Sequence, residues 1–166
     1  MKKLVLLLLA FPLAGCGFTP GAPVGDACSL LTLADARTLI PTARKSGGYI
    51  LHPEEEREAV VCQYSSDEQM RIDFLVTTPL TRAGDDHMND SVTRGLPGET
   101  SLSPVSDRGD AAVTYVLPGS GHGIRAKTQG DLLDLFVWPS DPSVPSVGNL
   151  VAAMQAAVSR VPPRDR

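Results

Sequence analysis

The sequence has no dense cluster of lysine and arginine. Its 15 Lys and Arg residues are outnumbered by 19 Asp and Glu residues, which gives a formal net charge of −4 at pH 7. Nucleic acids and anionic lipid headgroups are bound largely through clustered positive charge, because phosphate contacts dominate the affinity. The sequence therefore argues against a nucleic-acid partner and against attachment to a membrane by charge.

A hydrophobic run long enough to span a membrane is also missing. The apolar run at residues 4–13 is interrupted by Pro12, and it is about half of the roughly 20 residues that a spanning helix needs. It follows the basic start Met1-Lys2-Lys3. A short basic segment followed by a short apolar run is typical of a secretory signal peptide.

The end of this run indicates how the chain is anchored. The letters "LAGC" at residues 13–16 match the bacterial lipobox, in which an apolar residue and two small residues precede a cysteine. The match predicts a lipoprotein signal peptide at residues 1–15. A lipidated Cys16 and a flexible, Gly- and Pro-rich tether would occupy residues 16–26. Two or three acyl chains anchor stably, since each buried CH2 contributes about 0.8 kcal/mol.

We therefore expect an extracytoplasmic protein, held by lipid at the periplasmic face of a membrane or at the cell surface. The alternative is an ordinary signal peptide followed by a structural cysteine.

Cysteine is scarce, with three in the chain. Removing the lipidated Cys16 leaves Cys28 and Cys62, an even number in an oxidising compartment, which predicts a disulfide. The bridge would close a loop of about 35 residues and contribute roughly 4 kcal/mol in the chain-entropy model. Two free buried thiols are the alternative. No second Cys or His stands at ligand spacing, so we expect no metal and no cofactor.

The remaining sequence has the length of one domain, and no internal repeat divides it. We expect a single domain at residues 27–161 and a disordered tail at residues 162–166. A capping-box pattern at residues 32–35 predicts a short helix that Pro41 ends. Apolar residues spaced three or four apart from Val144 to Val161 predict a C-terminal amphipathic helix.

About five strands are predicted between these helices. Alternation or β-rich composition places them at residues 59–64, 70–77, 111–117, 123–129 and 131–138. The order is helix, two strands, a variable middle, three strands and helix. It predicts the α+β class, with an antiparallel sheet that carries both helices on one face.

Three short motifs, together with the lipobox, resemble a known family. They are "CSLLTLADARTLI" at residues 28–40, "CQY" at residues 62–64 and "GDAAVTYV" at residues 109–116. The chain resembles small bacterial lipoproteins, best known from actinobacteria, that carry a domain of unknown function. The resemblance covers most of the mature domain. It implies an extracytoplasmic α+β domain, similar in some related lipoproteins to the PsbP-like fold, and it supplies no catalytic residues.

Four stretches could carry chemistry, and each has a simpler interpretation. "GSGHG" at residues 119–123 lacks the following helix of a phosphate loop or nucleophile elbow and indicates a hairpin turn. "DDHMND" at residues 85–90 could hold a divalent ion but is typical of a solvated segment. "EEERE" at residues 54–58 could face a basic partner, and "RGD" at residues 108–110 makes an ordinary turn. We therefore predict no catalytic residues and a protein that is not an enzyme.

One strand suggests a partner surface. In "LLDLFVW", Leu133, Leu135 and Val137 should face the helices, which places Leu132, Phe136 and Trp138 on the opposite side of the sheet. An exposed apolar row would mark a binding site. The alternative is a second layer of core, covered by loops from residues 78–108.

These features predict a lipid-anchored binding or accessory domain with an unidentified protein or small-ligand partner. Two alternatives stay open. One is an inhibitor or immunity lipoprotein directed against a secreted toxin or hydrolase, because an acidic face suits a basic partner. The other is a small envelope hydrolase or metal-binding protein.

Overall fold

A computed structural model describes residues 26–84, 86, 100–104, 111–138 and 145–163. In this part of the chain the fold is α+β, which confirms the predicted class. The helices are α1 (Ala27–Leu30), α2 (Leu33–Leu39) and α3 (Val147–Arg160). The strands are β1 (Arg44–Glu54), β2 (Arg57–Ser65), β3 (Arg71–Pro79), β4 (Thr100–Pro104), β5 (Ala111–Leu117), β6 (Gly121–Thr128) and β7 (Asp131–Trp138).

The seven described strands form one antiparallel sheet in the order β1-β2-β3-β7-β6-β5-β4. Two series of sequential neighbours, β1 to β3 and β4 to β7, join where β3 pairs with β7. The predicted β2–β3 hairpin and the three strands β5, β6 and β7 are confirmed. The sequence does not predict β1, which contains two glycines and a proline, or β4, which lies in a segment of loop-like composition.

The helices and the sheet enclose the hydrophobic core on one side of the sheet. Leu133, Leu135 and Val137 belong to this core, as predicted, with Phe74 and Ile72 beside them on β3. The N-terminal helices and α3 contribute buried residues to the same core: Ala27, Leu30, Leu31, Ala36, Leu39, Ile40, Leu150, Ala153, Met154, Ala157 and Val158. The predicted packing of the helices on one face of the sheet is therefore confirmed.

The disulfide joins the N-terminal helices to the sheet. Cys28 in α1 is bonded to Cys62 in β2, with their Cα atoms 5.1 Å apart. That separation lies within the usual range for disulfides. The predicted pairing is present, and it links residues 34 positions apart in the sequence.

Backbone N–H and C=O groups at the break between α1 and α2 form hydrogen bonds with side chains, some local and some from distant elements. The Thr32 hydroxyl accepts a hydrogen bond from the N–H of Asp35, whose carboxylate accepts one from the N–H of Thr32, so the predicted capping box is formed. The carbonyl of Leu30 accepts a hydrogen bond of 2.6 Å from Arg160 at the end of α3. The carbonyl of Leu31 accepts one from the buried hydroxyl of Tyr64 on β2.

The buried stripe of α3 begins one turn later than the sequence predicts. Val147 is 49% exposed, whereas Leu150, Met154 and Val158 are buried. Val144 lies outside the described residues. The helix therefore packs through its second and later turns, and its first turn faces solvent.

Candidate functional site

The side of the sheet opposite the helices carries a row of three aromatic rings. Phe136 and Trp138 project from β7, and Tyr115 projects from β5. The ring centroids of Tyr115 and Phe136 are 5.8 Å apart in a stacked arrangement. Those of Phe136 and Trp138 are 4.4 Å apart, edge to face. Such pairs contribute about 0.5–1.5 kcal/mol beyond their buried area, so the row is a packed unit.

Two glycines in β6 leave room for this row. A Cβ on Gly123 would lie 2.6 Å from Cε1 of Tyr115 and closer still to Cζ, and one on Gly121 would lie 2.9 Å from Cε1 of Phe136. The turn before β6 has its own glycine, Gly119, with a φ of +73°. "GSGHG" is therefore more than a flexible turn, because its last two glycines lie in the strand under aromatic rings.

An aspartate on β3 ties the Trp138 end of the row to the neighbouring strands. The carboxylate of Asp73 accepts hydrogen bonds from Nε1 of Trp138 at 2.9 Å and from Nε2 of Gln63 at 2.8 Å. Arg71 forms an ion pair with the same carboxylate at 2.8 Å. The Arg71 guanidinium also lies 5.3 Å from the centroid of the Trp138 ring, within cation–π range.

A second aspartate, Asp134, contacts the Tyr115 end of the aromatic row. The carboxylate of Asp134 accepts a hydrogen bond of 2.6 Å from the hydroxyl of Tyr115 and one of 2.8 Å from Nε of Arg125. Arg125 also lies 5.7 Å from the centroid of the Tyr115 ring. Burial, followed by the negative charge of Asp134, raises the pKa of Tyr115 above its usual range. The phenol therefore stays protonated and acts as a hydrogen-bond donor.

Most of the predicted surface row is buried. Leu132 is 8% exposed and Phe136 is 7% exposed, while Trp138 is partly exposed. The expectation of a continuous exposed row is therefore corrected for Leu132 and Phe136. The Phe136 ring is covered because it packs against Tyr115, Trp138 and Gly121. Most of the loop segment that was expected to cover this side lies outside the described residues. A partner role for Trp138 stays a prediction.

The sequence predicts the face on which the two aspartates lie, but not the residues that they contact. Alternation places Asp73 and Asp134 away from the helices, but their partners come from other strands. Asp73 meets Trp138, 65 positions later, because β3 pairs with β7. That pairing is not visible in local sequence patterns.

Most of the other candidate residues lie outside the described part of the chain. Cys16 and the "RGD" tripeptide lie outside the described residues, as do His87 and Asp90. His122 is partly buried on β6. The acidic run spans the end of β1, a two-residue turn and the start of β2, with Glu55 exposed.

Neither a metal cluster nor a spanning helix is found in the described ranges. There, no group of three or more His, Cys, Asp or Glu residues could hold a metal ion. None of the helices described is both long and apolar enough to cross a membrane. In comparisons with protein-family models, curated proteins and solved structures, nothing matches the chain. The resemblance to the actinobacterial lipoproteins and to the PsbP-like fold stays a prediction.

Proposed function

We propose that the protein is a lipid-anchored lipoprotein of the bacterial cell envelope, whose domain binds a partner and is not an enzyme. The observation that carries this proposal is the lipobox at residues 13–16, placed directly after a short apolar run with a basic start. Acylation of Cys16 would hold the chain at the outer side of the membrane, and residues 17–26 would separate the domain from the headgroups.

The disulfide supports this location. Bonded cysteines persist in oxidising compartments and are rare in the cytosol of ordinary bacteria. The Cys28–Cys62 bond lies between α1 and β2, close to the start of the domain. A domain tethered at its N-terminus outside the cytoplasm would keep this bond formed.

The geometry of the two aspartates supports a binding role over a catalytic one. The carboxylates of Asp73 and Asp134 are each bonded to an arginine and to an aromatic side chain, and these contacts hold the sheet and the aromatic row in place. The partly exposed Trp138 lies at one end of this rigid unit. Rigid aromatic side chains are frequent anchors in binding sites.

Mass spectrometry of the protein purified from bacterial membranes tests the anchor. We expect the mature chain to begin at Cys16, with residues 1–15 removed and a diacylglyceryl group on the Cys16 sulfur. A Cys16→Ser variant should lack the lipid mass, whereas a matched Cys28→Ser variant should keep it. An unmodified Cys16 in the unaltered protein, or one paired with another cysteine, would contradict the proposal.

Fluorescence of Trp138, the one tryptophan of the chain, tests the binding role. The protein would be titrated with phospholipid vesicles, peptidoglycan fragments and detergent-extracted membrane proteins. A saturable change in emission, absent when the same protein is unfolded in urea, would support binding near Trp138. Unchanged emission with all three would count against a binding site at this end of the row.

A further inference from the structure

β1 forms one edge of the sheet and is unusually long for an edge strand. It runs over 11 residues, Arg44–Glu54, and pairs with β2 on one side. Within the described part of the chain, no strand pairs with its other side. An unpaired edge presents backbone N–H and C=O groups to any strand that approaches, and proteins usually shorten or block such edges.

The middle of this edge is apolar and open to solvent. Tyr49, Ile50 and Leu51 are consecutive and are 45%, 57% and 43% exposed. Among the described residues, the one other large apolar side chain with comparable exposure is Val147, on α3. Tyr49 and Leu51 lie on one face of β1 and Ile50 lies on the other. Single exposed apolar residues are ordinary, but apolar side chains exposed on both faces of an unpaired strand mark an interaction surface.

We propose that a second copy of this chain covers the edge, with the two β1 strands paired antiparallel about a two-fold axis at Tyr49. The β1–β2 register is regular from Gly47 to Leu51 and shifts on either side of that segment. Tyr49 is therefore the centre of the regular segment. Pairing about Tyr49 would join two seven-stranded sheets into one continuous sheet through the same surface of each copy.

The sizes of the residues in this segment are self-complementary. With Tyr49 opposite Tyr49 of the second copy, Ile50 lies opposite Gly48, and Leu51 lies opposite Gly47. Residues directly opposite each other in an antiparallel pair have Cα atoms about 4.5–5.5 Å apart. Ile50 and Leu51 would therefore each meet a glycine, which leaves space for them, and the two Tyr49 rings would lie side by side at the two-fold axis.

The charges at the two ends of β1 are self-complementary as well. Arg44 and Lys45 begin the strand, whereas Glu54 ends it and Glu55 and Glu56 follow in the turn. An antiparallel pair places the basic end of one copy beside the acidic end of the other. A parallel pair would place like charges together, and this repulsion selects the antiparallel arrangement.

Arg44 already has a partner within its own chain, but a weak one. It lies 3.0 Å from Asp67, with the two side chains 71% and 74% exposed. Exposed pairs of this kind contribute little, about 0–1 kcal/mol. Arg44 can therefore turn toward an acidic residue of the second copy at small cost.

Cross-linking tests the two-fold register, and pairing through β1 does not require acylation of Cys16. In a Cys16→Ser background, Tyr49→Cys places the two new thiols opposite each other. Val147→Cys, a position of similar exposure on α3, is the matched control. We expect the intermolecular disulfide of the Tyr49→Cys variant to form at least about tenfold faster than the control cross-link, because pairing raises the effective concentration of the thiols. Equal rates would overturn the proposal.

Sedimentation of the full lipidated chain in density-matched detergent provides the second test. We expect a dimer that Arg44→Glu or Glu54→Arg weakens by about tenfold or more in dissociation constant, and that the double variant restores. Unchanged Trp138 emission would show that each variant is folded. A monomer at every concentration, or a double variant no tighter than the single ones, would overturn antiparallel pairing through β1.

Discussion

Replacing Gly123 by alanine should displace the Tyr115 ring and lower the free energy of unfolding. The added Cβ would overlap the ring of Tyr115, which lies directly across from Gly123 in the β5–β6 register. The backbone of β6 is held by β5 and β7 on its two sides, so the ring must move. When the ring moves, the hydrogen bond from its hydroxyl to Asp134 and its stacking on Phe136 are lost.

The expected cost is about 3 kcal/mol in the free energy of unfolding. Forcing an extra methyl into a packed site costs about 1–3 kcal/mol. Losing a hydrogen bond to a charged acceptor costs about 1.5–3 kcal/mol. Alanine recovers about 0.5–1 kcal/mol relative to glycine within a strand.

Urea denaturation followed by Trp138 fluorescence measures this cost. The control is Gly148→Ala in α3, where the added Cβ would lie in ordinary contact, 3.6 Å from Oγ of Ser146, so we expect that variant to be neutral or slightly stabilised. In a Tyr115→Ala background the ring is gone, and Gly123→Ala should cost close to nothing, which gives a coupling energy of about 2–3 kcal/mol. If Gly123→Ala costs as little as Gly148→Ala, or costs the same with and without Tyr115, the steric explanation is wrong.

Two further predictions concern pH. Burial, followed by the charges of Asp26 and Asp35, raises the pKa of Tyr64 from 10.0 to about 12. The stability due to its neutral phenol is therefore complete below pH 10 and lost as the pH rises toward 12, by roughly 2–3 kcal/mol. Tyr64→Phe should flatten this alkaline decline in urea titrations, and an equally steep decline would contradict the assignment. Although burial opposes it, hydrogen bonds from Arg160 and Thr32 lower the pKa of Asp35 below 3.8. Asp35→Asn should therefore destabilise at pH 7, and this loss should shrink as the pH falls below 3.8; a loss that does not shrink in acid would point to packing instead.

Local sequence patterns predict a helix or strand correctly where the hydrophobic periodicity, the capping residues and the turn residues all indicate the same element. The capping box at Thr32 predicts α2, and the alternation from Met70 to Thr77 predicts β3, because both signals depend only on neighbouring residues. β1 is missed because Gly47, Gly48 and Pro53 interrupt its pattern. It forms nevertheless, because β2 is buried and needs a hydrogen-bonding partner on its outer side.

For the candidate site, the sequence predicts only the face of the sheet on which a residue lies. The sequence places Trp138 and Asp134 on the side of β7 away from the helices, and the structure agrees. The positions of Asp73 and Tyr115 beside them depend on β7 lying between β3 and β6. Contacts such as these follow from long-range strand pairing, which a single sequence does not encode in any local period.

The two aspartates also explain how that pairing is held in one register. Slipping β7 by one residue would turn Asp134 into the apolar core beneath the helices and Leu135 out of it, because successive side chains alternate between faces. Arg125 and Tyr115 would then lose their acceptor, and a buried charge without partners costs several kcal/mol. A one-residue slip of β3 would likewise separate Asp73 from Trp138, so their hydrogen bond also favours the observed register. We infer that these partly buried ion pairs contribute less to overall stability than to the choice of register, and that the rigid aromatic row beside them depends on this choice.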